Sequence, residues 1–139
     1  MSANLDLVRS IFADWERGDY SSAEWAHPEI ELVIPDGPEP GRWHGLAGLA
    51  QSTKGLLGAW EDLRNVVDEY RELDGERVLV LTHDSGRGKA SGMDIGQIYA
   101  KGADVFHVRN GKVTKLILYW DRERALADLG LALEDDRQR

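Results

Sequence analysis

The sharpest chemical signal in this chain is a carboxyl placed among apolar neighbours, Asp104. Gly96 to Asp121 reads as two strands joined at Asn110-Gly111, a dipeptide suited to tight hairpins because both central residues need φ > 0. Side chains alternate with period two along a strand. Ile98, Ala100, Asp104, Phe106 and Val108 therefore share one face, and Leu116, Leu118 and Trp120 share a face of the second strand. A carboxyl in such a row loses hydration, which raises its pKa and favours the neutral acid. A neutral acid can donate a hydrogen bond to a substrate oxygen that gains negative charge. The competing reading is a structural aspartate satisfied by an arginine, a tryptophan N–H or the backbone.

His83 is the second candidate. It follows Leu79 and Leu81 on the row read as inward, and an imidazole there is a candidate general base near neutral pH. If the strand folds back around Ala90, His83 stands opposite Gln97 and Asp104 opposite Glu76. That places the two about seven residues, roughly 20 Å, apart along the strands. A ready-made dyad is not expected, and a partly exposed strand-end histidine is the competing reading. Five tryptophans in a chain this short can wall a cavity for a flat or polycyclic ligand. Trp15, Trp43, Trp60, Phe106, Leu118 and Trp120 form the expected ligand-contacting set. Plain core packing competes, most strongly for Trp15 and Trp60 at helical spacing. His27, His44 and His107 show no metal-ligand spacing, so neither a metal nor another cofactor is expected.

These residues need elements to hold them. Leu5, Val8, Phe12 and Trp15 recur at helical spacing from Asn4 to Arg17, with Gly18 as a stop. Asp19 then reads as the cap of a short helix, YSSAEWA, ending at His27-Pro28. Glu29 to Ile34 alternates as a strand with Ile30, Leu32 and Ile34 inward, and PDGPEPG is loop. Leu46 to Trp60 is a third helix carrying Gly48, Gly55 and Gly58, which suggests close backbone approach or mobility. Strands follow at Leu63 to Leu73 and Arg77 to His83, then a loop by composition at SGRGKASG, then the hairpin. RERALADLGL is a closing helical turn, and EDDRQR is expected to fray. The plan is α+β, with a curved antiparallel sheet wrapped around three N-terminal helices to leave a concave interior.

Composition bounds the partners. A chain of 139 residues with 42% apolar and 30% charged residues is one ordinary globular domain, spanning 1–139. Its net charge of −8 argues against a nucleic-acid partner. Absence of cysteine removes disulfide and thiolate chemistry. There is no signal-like start and no apolar run of about 18 residues, so the expectation is a cytoplasmic protein with no membrane partner.

The order of these pieces resembles the nuclear transport factor 2-like superfamily, in its SnoaL-like branch. The likeness rests on the helix ending at Gly18-Asp19, His27-Pro28-Glu29-Ile30-Glu31, Gly41-Arg42, Gly45-Leu46, the SGRGKASG stretch, Arg109-Asn110-Gly111-Lys112-Val113, and Tyr119 through Arg124-Ala125-Leu126 to Gly130-Leu131. It implies a cone-shaped α+β barrel, often dimeric through its sheet. Ketosteroid isomerases, polyketide cyclases, epoxide hydrolases, dehydratases and non-catalytic binding domains share that fold, so kinship alone does not choose a chemistry. Carried over by position, the oxyanion-hole aspartate of ketosteroid isomerases falls on Asp104. Their general base falls on Ile34, with Asp36 the nearest acid, and their helix-one tyrosine falls near Ile11. The last-strand carboxylate of polyketide cyclases and epoxide hydrolases falls on Leu118. No known catalytic set is complete.

Three readings follow. One is an acid–base isomerase, cyclase or dehydratase acting on a small apolar or polycyclic molecule. The second is a binding or accessory domain that uses the same cavity without chemistry. The third is a homodimer through the outer sheet face, where Val105, Ile117 and Tyr119 would be exposed.

Overall fold

The computed structural model describes residues 3–37, 40–90 and 93–131, with side chains for all of these except 56, 57, 59–63, 87–90 and 93–99. The order is α1 (Ala3–Glu16), β1 (Ala26–Ile34), β2 (Gly41–His44), α2 (Gly45–Ala59), β3 (Trp60–Glu72), β4 (Arg77–Ala90), β5 (Met93–Arg109), β6 (Lys112–Tyr119) and α3 (Arg122–Asp128). The strands form one curved, unclosed sheet in the order β2-β1-β6-β5-β4-β3. All pairs are antiparallel except β1 with β6, which run parallel, so the sheet is mixed. Register shifts in β1, β3, β4 and β5 supply the bulges that bend long strands. Among the described residues, no helix is long and apolar enough to cross a membrane.

Amphipathic α1 buries Val8, Ile11 and Phe12 against the concave face. There Phe12 meets Phe106 and Tyr70 edge-on at centroid separations of 5.7 and 6.1 Å. Val78, Val80, Val108, Val113, Leu116, Ile30 and Leu32 complete this core. The convex face is also covered. Leu79, Leu81, Ala103, Val105 and Tyr119 pack against Ala125 and Leu126 of α3. The outer face read as open to a second copy is therefore occupied within one chain, with Val105 fully buried and Tyr119 nearly so.

Several elements differ from the sequence reading. YSSAEWA forms no helix, because Asp19 accepts hydrogen bonds from the Ser21 amide and hydroxyl, and that local turn replaces helical pairing. The three helices are thus two before the sheet is complete and one after it. Ser85–Ala90 is strand rather than loop, since β3 and β5 pair with it from both sides. β2 is a four-residue strand with little periodicity to announce it. Of the α2 glycines, Gly48 marks a close approach, to Trp43, while a Cβ on Gly55 or Gly58 would meet nothing within 4 Å among the described residues. The EDDRQR end lies outside the described residues.

Candidate functional site

A row of side chains crosses the concave face. Asp104 of β5 stands opposite Leu118 of β6 and Val80 of β4. Two steps further along β4, Thr82 faces Gly102, and Asp84 follows at the next inward position, opposite Ala100. Asn65 of β3 lies directly across from Asp84 and donates to its Oδ1 through Nδ2. Leu32 and Ile34 of β1 continue the floor on the other side. Above it, Trp15 of α1, Tyr20, and Leu49, Ser52 and Thr53 of α2 close over a cavity of about 120 Å³, with Trp120 at its rim.

Two carboxyls in a mostly apolar hollow do not ionise like free ones. Burial pushes the Asp104 carboxyl well above the ordinary carboxylate value, and the nearby Asp84 charge pushes it the same way. Asp104 is 5% exposed, and no hydrogen bond or ion pair reaches it from another described residue. The structural pairing considered for it is therefore not formed among the described residues. Burial raises Asp84 to about 6, opposed by the Asn65 hydrogen bond and by His83 and Arg122. Asp84 Oδ2 lies 3.3 Å from the point where a Cβ on Gly102 would sit. Gly102 is two residues, roughly 7 Å, along β5 from Asp104. Both carboxyls are thus held above the ordinary carboxylate value by burial, Asp84 at about 6 and Asp104 in the same direction. Tyr20 stands by, its phenol raised by burial and by the Asp84 charge.

The other expected residues separate. Trp15, Leu118 and Trp120 line the cavity with Asp104. Phe106 does not: it is fully buried in the core beneath α1. Trp43 is also elsewhere, packed against Gly41 and Gly48. The side chain of Trp60 lies outside the described residues. His83 is on the convex face, a correction of its inward placement. Val78–Leu81 is buried on both faces of β4, and the row that meets Asp104 is Val78, Val80, Thr82, Asp84. His83 Nδ1 instead lies 2.7 Å from Asp68 Oδ1, and Asp68 Oδ2 accepts from Arg122 at 2.7 Å. Arg122 also donates to the carbonyls of Thr82 and Gly102, fastening the strands behind the site. Burial pushes Asp68 up, but the hydrogen bonds from Arg122 and His83 outweigh it and hold the carboxyl below its usual value. Asp36 is engaged at the strand end, accepting from the amides of Trp120 and Asp121 at 2.8 and 3.2 Å.

Asp84, Asn65 and Tyr20 escaped the sequence reading. The available signal for Asp84 was the alternation Val78, Val80, Thr82, Asp84, which is as regular as the row carrying His83.

Three helices with a six-stranded curved, unclosed mixed sheet are the α+β fold of nuclear transport factor 2-like proteins. The chain belongs to the SnoaL-like domain family, whose model matches residues 8–116. No curated protein matches it. Among solved structures it is similar to TerC, crystallised with polyporic acid, at 22% identity over 92% of this chain and 98% of that one, with a TM-score of 0.71. It is similar to an NTF2-like protein from Burkholderia pseudomallei at 21% identity, covering 91% and 97%, with a TM-score of 0.73. A protein of ketosteroid isomerase-like fold from Catenulispora acidiphila, in complex with trimethylamine, is 14% identical over 91% and 94%, with a TM-score of 0.68. At these identities the likeness carries the fold alone.

Proposed function

We propose that this domain is an acid–base enzyme, an isomerase, cyclase or dehydratase, acting on a small, mostly apolar molecule. The observation that carries the reading is the Asp84–Asp104 pair, two carboxyls on one wall of a mostly apolar cavity, both raised by burial. Asp84, ionised at neutral pH, takes a proton from a carbon next to a substrate carbonyl. Asp104, still protonated, donates a hydrogen bond to the carbonyl oxygen as it gains charge. Asp84 then returns the proton at a second carbon or to a leaving oxygen. Trp15 and Trp120 supply flat walls for the substrate body. Small molecules accompany two of the similar structures, polyporic acid with TerC and trimethylamine with the Catenulispora protein, which supports a small-molecule role for the cavity.

The experiment is proton exchange on a flat enolisable ketone, 2-tetralone, in deuterium oxide. Wild type is expected to speed α-carbon exchange over buffer, and D84N and D104N each to lose roughly 10²-fold or more of that acceleration. Exchange no faster than buffer, together with saturable binding, would instead support the second reading, a ligand-binding domain without catalysis. What favours that alternative is the pair of cavity residues Ile34 and Leu118, which the family resemblance sets at the positions of the ketosteroid isomerase base and the polyketide cyclase carboxylate.

A further inference from the structure

We propose that Asn65 is the positioning residue of this site, tying one oxygen of Asp84 and leaving the other as the proton acceptor. The inference rests on the acid–base reading above and adds a residue that reading does not require. Asn65 sits directly across from Asp84 in the β3–β4 register, between two irregularities in that pairing, Glu61/Arg64 and Val67/Glu69. Both side chains line the cavity. The Asn65 amide donates to Asp84 Oδ1, while Oδ2 points over Gly102, along the strand that carries Asp104.

The far end of the amide supports the assignment. Asn65 Oδ1 is buried with no hydrogen-bond partner among the described residues. A buried acceptor left unsatisfied costs free energy, so an asparagine retained only for stability is a poor choice here. A leucine of similar size would remove that unmet acceptor. What leucine cannot supply is the N–H that holds Asp84.

Other groups around Asp84 act by charge rather than by grip. His83 and Arg122, behind the sheet, favour its ionised form, and Asp68 opposes them. Lys101 stands opposite His83 on the same outer side, while Asp104 and Tyr20 share the cavity. Asn65 gives the hydrogen bond that the Asp84 carboxyl receives among the described residues. Its removal is therefore a local change with a defined sign. Loss of a donor to the ionised form must raise the Asp84 titration midpoint.

The test is a carbon-13 NMR titration of the aspartate carboxyls in wild type, Asn65→Leu and Asn65→Val, with a melting curve for each. Valine is included because a β-branched residue suits a strand if leucine misfolds. The expected result is an Asp84 midpoint at least half a unit higher in the variants, with melting temperature unchanged or raised. An Asp84 midpoint equal in wild type and variant, wherever it lies, overturns the proposal. So does an equal midpoint with a lower melting temperature, which marks a purely structural asparagine. A wild-type midpoint near the ordinary carboxylate value would count against Asp84 as a tuned base, and is separate because Asn65 is judged on the difference.

Discussion

Asp84 illustrates what a tuned carboxyl costs its own fold. Its native pKa is raised from 3.8 to about 6, so between those values the folded chain holds a proton that the unfolded chain has released. Stability from this group is fully present below about pH 4 and is lost as pH rises through about 6. Two units correspond to about 3 kcal/mol. D84N removes the penalty, so its unfolding free energy at pH 7 should exceed that of wild type by up to about 3 kcal/mol, with the gap closing at pH 4. Urea denaturation at the two pH values measures it, and a D84N protein less stable than wild type at pH 7 contradicts the burial argument. Asp104, also raised by burial, acts with the same sign. Under the proposed acid–base reading, that cost is a trade of stability for activity.

The element that brings these carboxyls together is the β4–β5 pair, and Gly102 of β5 lies tight against β6 beside them. A Cβ there would lie 2.5 Å from the Tyr119 carbonyl oxygen, and also near Asp84 Oδ2 and Thr82 Oγ1. Backbone cannot yield as a flexible side chain can, so G102A is expected to lower stability by about 2 kcal/mol. Chemical denaturation reads this directly, and a neutral G102A would show the strands to be looser than described. The same pair explains what was legible in the sequence. Asp104 could be read because Asn110-Gly111, with φ of 54° and 75°, fixes the β5–β6 hairpin and leaves one charged residue in an apolar row. Asp84 could not be read with the same ease, because β4 is apolar on both faces where α1 covers one side and α3 the other. Alternation cannot choose a face when both are buried. The register that would have decided it runs through Ser85–Ala90, whose glycines and serine suggest loop when neighbours are unseen. Pairing from both sides overrides that local preference.

At the scale of the molecule, the fold supplies a bent sheet with α1 and α2 over its concave face and a cavity between them. In this chain Ile34 and Leu118 line the hollow as apolar floor, and its acidic groups stand instead on β4 and β5. Tyr119 and Val105, on the reverse side, are sealed by α3, so the convex face stiffens the scaffold behind Asp84 and Asp104. Arg122, at the start of α3, extends that backing by bonding to Thr82 and Gly102 carbonyls. The central claim is that the cavity holds one neutral and one ionised carboxyl at neutral pH. It is tested most directly by following both side-chain carboxyls by carbon-13 NMR in the wild-type protein from pH 3 to pH 9. The account predicts that Asp84 titrates near 6 while Asp104 remains protonated to a higher pH. Two aspartates that both titrate at the ordinary value, near 4, would contradict it.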